Sequence, residues 1–378
     1  MVKDRNTPLT PSRFLTALTL VLLCTSGLNL QAQGVRKYSN DFLSIGVGAR
    51  ALAMSGSVVS SVSGVEAAYW NPAGLTGITS DFEVAGMHAE YFAGLASYDY
   101  AAIAMPLSDK NRFLGLSMVR FGVDDIPNTL FLFEPDGSIN YDNITAFSVA
   151  DYGFFLTYAQ KLKVEGLSLG GSVKVIYRNA GNFATAWGFG VDLGLQYQKN
   201  NLRLGVQARD LTSTFNAWSF NFTPEEAQVL EQTGNVVPES SYELTAPRVV
   251  LGVAYDWDFA KDFGLLAEAN FDLTTDGRRN VLVRSDAVSL DPHVGLEFDY
   301  DDFIFLRAGV GNIQQAVPDD ATEEAWVMQP NMGLGLKIKF IHLDYAYTNI
   351  GNRDQLLYSN VFSLKLDLNR KAKGDSAN

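Results

Sequence analysis

The chain has 378 residues, 47% of them hydrophobic and 19% charged, with 24 Phe, 16 Tyr and 5 Trp. That much aromatic surface excludes a disordered chain. A mean hydropathy near zero suits a bundle of membrane helices only if the apolar residues run together. After the first thirty residues no stretch reaches the 18 or so that a spanning helix needs.

Lys and Arg number 29 against 42 Asp and Glu, a formal net charge of −13. Residues 1–32 hold Lys3, Arg5 and Arg13 against Asp4, so the remainder carries 26 basic and 41 acidic side chains, a net of −15. That sign disfavours nucleic acid, whose phosphates need clustered cations, and peripheral docking on anionic lipid.

In chain order, residues 1–32 come first. Three cations precede the apolar run Phe14–Leu23, and Asn29-Leu30-Gln31-Ala32-Gln33 follows it. This is the pattern of a secretory signal, with cleavage expected near Ala32. Cys24 follows Leu22-Leu23, where a lipobox has a small residue, so it reads as part of the leader. The mature chain then has no cysteine, and an exported protein is stabilised without disulfides.

Residues 33–81 do not alternate. The run Gly46-Val47-Gly48-Ala49-Arg50-Ala51-Leu52-Ala53-Met54-Ser55-Gly56 is small, apolar and compatible with a helix. Further on, Trp70-Asn71-Pro72-Ala73-Gly74 carries turn chemistry, since Pro fixes φ and Gly supplies positive φ. A compact segment of this kind is expected to fold back as a plug, or hatch.

From residue 82 onward the pattern is alternation at period two, the mark of half-buried strands. Trp187, Phe189, Val191, Leu193, Leu195 and Tyr197 share one face, opposite Gly188, Gly190, Asp192, Gly194 and Gln196. Fourteen such segments are predicted, at 82–91, 96–106, 112–121, 145–159, 166–178, 185–198, 201–210, 246–257, 263–274, 290–300, 302–312, 327–339, 340–349 and 357–368. Each is about long enough to cross a bilayer at a tilt. Short connections (108–110, 199–200, Asp301) alternate with long ones (122–144, 212–245, 275–289, 313–326, 350–356), as in outer-membrane barrels. Within 212–245, Thr223-Pro224-Glu225-Glu226 reads as a helix start. A soluble sandwich or propeller is the rival fold. It is disfavoured because one face repeatedly reads Leu, Val and Phe with Tyr or Trp at the ends, while the other reads Gly, Ser, Lys, Arg and Asp. The expected architecture is all-β: a transmembrane antiparallel barrel over 82–368, a hatch over 33–81, and a polar tail over 369–378.

The inward faces then collect both signs of charge in a polar lumen network: Lys174, Arg178, Asp192, Arg203, Arg209, Arg248, Glu268, Asp272, Glu297, Arg307, Lys337, Lys339, Asp344 and Lys365. These are expected to pair as salt bridges within a narrow or plugged barrel. Glycines on the same face leave room for the hatch. In the outer loops, Ile126, Leu130, Phe131, Leu132, Phe133, Phe215, Trp218, Phe220 and Phe222 exceed what a solvated loop requires, and mark the expected partner-contacting surface.

The sequence offers little catalytic chemistry. His88, His293 and His342 have no second His at metal-ligand spacing, and no nucleophile elbow, phosphate loop or dinucleotide fingerprint occurs. No metal or cofactor is expected. His293 and His342 are expected to bond lumen carboxylates such as Glu297 or Asp344. Asp319, Asp320, Glu323 and Glu324 read as a solvated acidic loop rather than a Ca²⁺ site.

The 46–56 run, with Ala68-Tyr69-Trp70-Asn71-Pro72-Ala73-Gly74-Leu75, resembles the start of the PorV/PorQ family of outer-membrane proteins, which are similar in turn to FadL-type transporters. Gly122-Val123-Asp124-Asp125-Ile126-Pro127-Asn128-Thr129 and Phe147-Ser148-Val149-Ala150-Asp151-Tyr152 extend the resemblance. Its hatch motif falls on Gly46, Gly48, Arg50, Met54, Gly56, Trp70, Asn71, Pro72 and Gly74. The resemblance implies a fourteen-stranded barrel in the outer membrane of a Gram-negative, Bacteroidota-like bacterium. It also implies a non-enzymatic role in type IX secretion, as a cargo-binding shuttle or translocon partner. The implied partners are the translocon, an attachment complex or the C-terminal β-domain of cargo. The alternative is a FadL-like transporter of hydrophobic small molecules, a class that passes ligands through the barrel wall. A structural partner barrel of another outer-membrane complex is the second alternative.

Overall fold

The computed structural model describes residues 39–370 except 93, 135, 239, 317–323 and 349–358. The expected leader and its cleavage point, residues 33–38 of the hatch, Asp319, Asp320, Glu323, the 350–356 loop and the tail beyond 370 lie outside the described residues.

The alternating sequence folds as strands throughout. In order they are β1 (Phe82–Tyr91), β2 (Ala96–Pro106), β3 (Arg112–Asn128), β4 (Thr145–Lys161), β5 (Leu167–Ala180), β6 (Ala184–Lys199), β7 (Leu202–Arg209), β8 (Thr214–Phe220) and β9 (Ser240–Thr245). There follow β10 (Arg248–Ala260), β11 (Phe263–Thr274), β12 (Val283–Arg284), β13 (Ser289–Tyr300), β14 (Ile304–Ala316), β15 (Ala325–Ile338), β16 (Ile341–Thr348) and β17 (Ser359–Leu368). Every pairing is antiparallel, and β17 pairs with β1 from Phe82↔Leu368 to Glu90↔Asn360, so the sheet closes. Closure leaves no edge in the membrane.

The pieces assemble into fourteen staves. β7 and β8 pair with successive stretches of β6, and so form one stave. β9 and β10, which pair with β8 and β7, form the next, interrupted at Ala246-Pro247. Proline has no N–H for the ladder. β12 is a two-residue strand laid against the outer end of β13.

The structure redraws several predicted boundaries. β3 runs on past 121 to Asn128 because a bulge after Val123, with Asp125 at φ 56°, lets pairing with β4 resume at Ile126↔Phe147. Ile126 therefore lies in a strand rather than a loop. Phe215, Trp218 and Phe220 likewise lie in β8. Lys339 sits in the β15–β16 turn at φ 57° and is not a lumen residue.

Short turns gather at one end of the barrel and long excursions at the other, which orients the short-turn end toward the periplasm. Apolar side chains cover the outer wall, with Leu116 57% and Trp187 58% exposed. The first hairpin breaks this pattern. Met87, Ala89, Tyr91, Tyr98 and Tyr100 turn inward and are buried on the hatch. Its outward face carries Gly86, His88, Asp99 and Ala101 instead. Following register from stave to stave, Tyr345, Phe362, His88, Asp99, Arg120, Tyr152, Tyr177 and Trp187 form one row. The outer aromatic girdle is thus interrupted by three polar residues, in which Asp99 holds both His88 and Arg120.

The hatch contributes two short helices, α1 (Ala49–Ala53) and α2 (Ala67–Trp70), and a 3-10 turn over Pro72–Gly77. Outside the barrel, α3 (Pro224–Gln232) begins on a capping box in which Thr223 and Glu226 bond each other's backbone N–H.

Candidate functional site

The hatch fills the barrel because the inward wall is cut to its shape. A side chain on Gly170, Gly194 or Gly205 would strike hatch backbone or Asn71, and one on Gly309 would strike Met54. Within the hatch, Gly48 sits at φ 81°, and a Cβ there would meet the Glu66 carboxylate at 2.7 Å.

Polar bonds tie this plug to the wall. Arg50 donates from Nε and Nη2 to the two oxygens of Glu297, each at 2.8 Å. Glu297 also accepts from Arg307 Nε at 2.5 Å, and Arg307 reaches Asp344 at 2.5 Å. Glu268, 1% exposed, accepts the Ser60 N–H at 2.7 Å. Asn71 donates to Val59 O at 2.8 Å and Leu195 O at 3.2 Å, and Trp70 Nε1 donates to Val47 O at 2.7 Å. Burial alone would lower the pKa of Arg50, but the Glu297 carboxylate raises it overall, so the charge is held. Burial pushes the Glu66 carboxyl up to about 7, against the pull of Lys365.

Above the hatch lies a lumen cavity of about 250 Å³. Its floor comes from the hatch and is largely apolar, with Ile45, Leu52, Val59 and Trp70 beside Ser44 and Ser55. Its walls are polar, with Arg209, Arg248, Asp272, Asp291, His293 and Asn312 among them. The Arg209 guanidinium lies 4.4 Å from the Tyr69 ring centroid. Arg248 pairs with Asp272 at 3.2 Å. His293 joins wall to hatch, with Nε2 3.2 Å from Asp272 and Nδ1 3.0 Å from Ser57 Oγ. A Ser–His–Asp chain suggests hydrolysis, but Ser57 is 0% exposed and lines no part of the cavity. Without access to substrate this chain is a latch. His293 and His342 each bond a carboxylate, as expected, though the partners are Asp272 and, at 2.7 Å, Asp367 rather than Glu297 or Asp344.

The wall beside this cavity has a seam. β13 and β14 pair from Tyr300↔Ile304 to Val294↔Val310 and then stop, although both strands continue. β12 takes the free edge of β13 at Leu290 and Ser289. Asn280 bridges to the Gln315 backbone at 2.7 and 3.2 Å, closing the top. Between lie Asp291, Pro292 and His293 facing Gly311 and Asn312, of which all but Pro292 line the cavity. The β1–β2–β3 wall, by contrast, is continuously paired.

The other predicted residues fall into separate groups. Lys174 pairs with Asp192 at 2.8 Å and with Asp210 at 2.5 Å. Arg178 pairs with Asp151 at 2.8 Å and Glu243 at 3.3 Å. Lys337 forms no ion pair among the described residues. At the outer mouth the rings of Trp218, Phe220, Phe222, Phe183 and Phe147 meet in succession, the first three stacked and Phe147 edge-on to Phe183, with Arg178 over Trp218. In the β3–β4 loop, Phe133 is 66% exposed and Phe131 38%, while Leu130 is half-buried. Sequence reasoning missed Ser57, Asp151, Asp210, Glu243 and the seam. Asp151 and Glu243 share the inward parity of their strands, which was a usable signal; the seam has none beyond Pro292.

No family model and no curated protein matches the chain, so PorV/PorQ membership has no support from those comparisons. Solved structures do match. The Pseudomonas putida toluene transporter TodX is 14% identical with a TM-score of 0.52, over 85% of this chain and 96% of that one. The Ralstonia pickettii toluene transporter TbuX is 13% identical at 0.53, over 85% and 98%. The CymD monoaromatic hydrocarbon channel is 13% identical at 0.54, over 87% and 99%. At such identities the likeness is one of fold: a closed fourteen-stranded antiparallel barrel.

Proposed function

We propose that the protein carries a small, largely apolar molecule with a polar end across the outer membrane, through the lumen cavity above the hatch. The observation that carries this is the cavity itself, with its largely apolar floor, polar walls and position beside an unpaired seam in the wall. The aromatic cluster at the mouth offers a first apolar surface, and the seam offers a lateral route between cavity and bilayer. That the structural neighbours are hydrocarbon transporters and channels supports the reading. The secretory role implied by the sequence resemblance has no such support.

Because residues 25–378 contain no cysteine, the seam can be tested by one engineered pair, His293→Cys with Gly311→Cys. A Cβ on Gly311 lies 3.0 Å from that of His293, so the two face each other as a disulfide requires. Cells whose outer membrane carries the oxidised pair should lose uptake of labelled octanol, and reductant should restore it. Unchanged uptake after oxidation overturns the seam as route. The transport reading itself fails if the purified wild-type protein neither binds octanol nor speeds its uptake. Recovery from native membranes with secreted proteins bearing a C-terminal β-domain would favour the secretory reading instead.

A further inference from the structure

On the periplasmic side the hatch forms the base of a bowl of about 970 Å³. The base is rich in hydroxyls: Ser60, Ser61, Ser63, Thr76 and Thr79. The sides come from the ends of β4 and β6 and the turns that follow them. Lys161 and Lys199 line the bowl, with Lys163 in the β4–β5 turn and Lys110 in the β2–β3 turn beside them. All four are exposed. The ion pairs of this sector are Arg112–Asp109 and Arg203–Asp256; the four lysines join none among the described residues. Glu165 is the one acid in the lining. Lys161 is aimed into the mouth by its contact with the Phe113 ring, 5.5 Å from Nζ to centroid. Across the mouth the β10–β11 and β13–β14 ends are acidic, with Asp258, Asp262, Asp299, Asp301 and Asp302 against Lys261, while the β15–β16 end carries Lys337 and Lys339.

A sector of uncompensated cations is contrary to the composition of a chain whose net charge is strongly negative. Two of its lysines, Lys161 and Lys199, line one side of the concavity over the hatch, and Lys161 shares the inward parity of β4. We propose that the bowl receives an extended acidic segment of a periplasmic protein. The lysines supply the long-range attraction and set the direction of approach. Asn111, Asn200, Gln198 and the hatch hydroxyls supply neutral donors for carboxylates and peptide carbonyls. The volume lies at the upper end of the range for ligand sites, which leaves room for a short stretch of chain. Such a segment rests on Ser60–Ser63. The wall holds that part of the hatch through Gln196, which donates to Val59 O at 3.1 Å and Val62 O at 3.0 Å. This inference is independent of the transport reading.

The test uses the full-length protein in detergent micelles and a fluorescein-labelled deca-glutamate peptide, followed by anisotropy. Wild type should bind saturably, and more weakly as salt rises. Lys161→Gln, Lys163→Gln and Lys199→Gln together should weaken binding roughly tenfold, on the scale of three exposed ion pairs. Asp301→Asn with Asp302→Asn, on the far rim, should not weaken it. Should the triple variant fold poorly, Lys163→Glu alone, in an exposed turn, should still weaken binding. The proposal is overturned if wild type shows no saturable binding or if the lysine variants bind as wild type does. It is equally overturned if inorganic tripolyphosphate binds as tightly as the peptide, which would make the bowl a small-anion site.

Discussion

At Glu297 two guanidinium groups, Arg50 from the hatch and Arg307 from the wall, share one carboxylate. Removing that carboxylate leaves two charges facing each other in an enclosed site, the situation in which a broken buried pair costs about 3–5 kcal/mol. Glu297→Gln should lower stability on that scale, read as a lower urea midpoint for folding into lipid vesicles. Glu66 acts in the opposite sense. Its carboxyl ionises near 7 in the folded protein and at about 4.3 in an unfolded chain. Between those values the unfolded state is ionised and the seated hatch is not, so seating weakens as pH rises, with the full penalty present above about 7. Hatch amides should therefore exchange faster at pH 8 than at pH 5, after correction for intrinsic rates. Glu66→Gln should remove that difference. Several of these ions were legible from the parity of their strands. Which acid meets which base was not, because partners such as Arg50 and Glu297 lie 247 residues apart.

Among the elements, the hatch and the wall glycines depend on each other. Gly205 faces Val59 O and Ser60, with Ser60 Cα 2.7 Å from where a Cβ would lie. Gly205→Val should therefore unseat the hatch while leaving a β7 residue of good strand propensity. The expected result is a higher ion conductance in planar bilayers and faster proteolysis near residue 60, with the barrel still shifting its gel mobility on heating. An unchanged conductance would mean that the hatch yields without opening the lumen. Periodicity foretold the strands, and the lack of it foretold the hatch. The lengthened β3, the β7–β8 and β9–β10 breaks and the β13–β14 seam were not foretold. Each depends on which neighbour a strand finds, and a single strand's pattern does not encode its neighbour.

For the whole molecule, the bilayer sets the rules. Leu116 lies midway between the periplasmic end of β3 and the girdle row, 57% exposed toward lipid. Leu116→Arg should cost about 2–4 kcal/mol. Arg120→Leu removes a charge already at the interface and loses its contact with Asp99, so it should change stability by only about 0–1 kcal/mol in either direction. Urea titrations in vesicles would check both, and similar costs at the two positions would contradict the assigned membrane depth.

The sequence alone determined that strands alternate, that about fourteen cross the membrane, that lipid sees one face and the lumen the other, and that a non-alternating segment precedes them. These follow from local periodicity and from the rule that backbone groups in lipid must be paired. Closure decided the rest. Only when β17 meets β1 do residues far apart in sequence share a lumen, so the Arg50–Glu297–Arg307 knot and the Ser57–His293–Asp272 latch take form. The same closure creates the cavity above the hatch and the lysine-rimmed bowl beneath it. Such features are distances between distant parts of the chain, and no local pattern contains them.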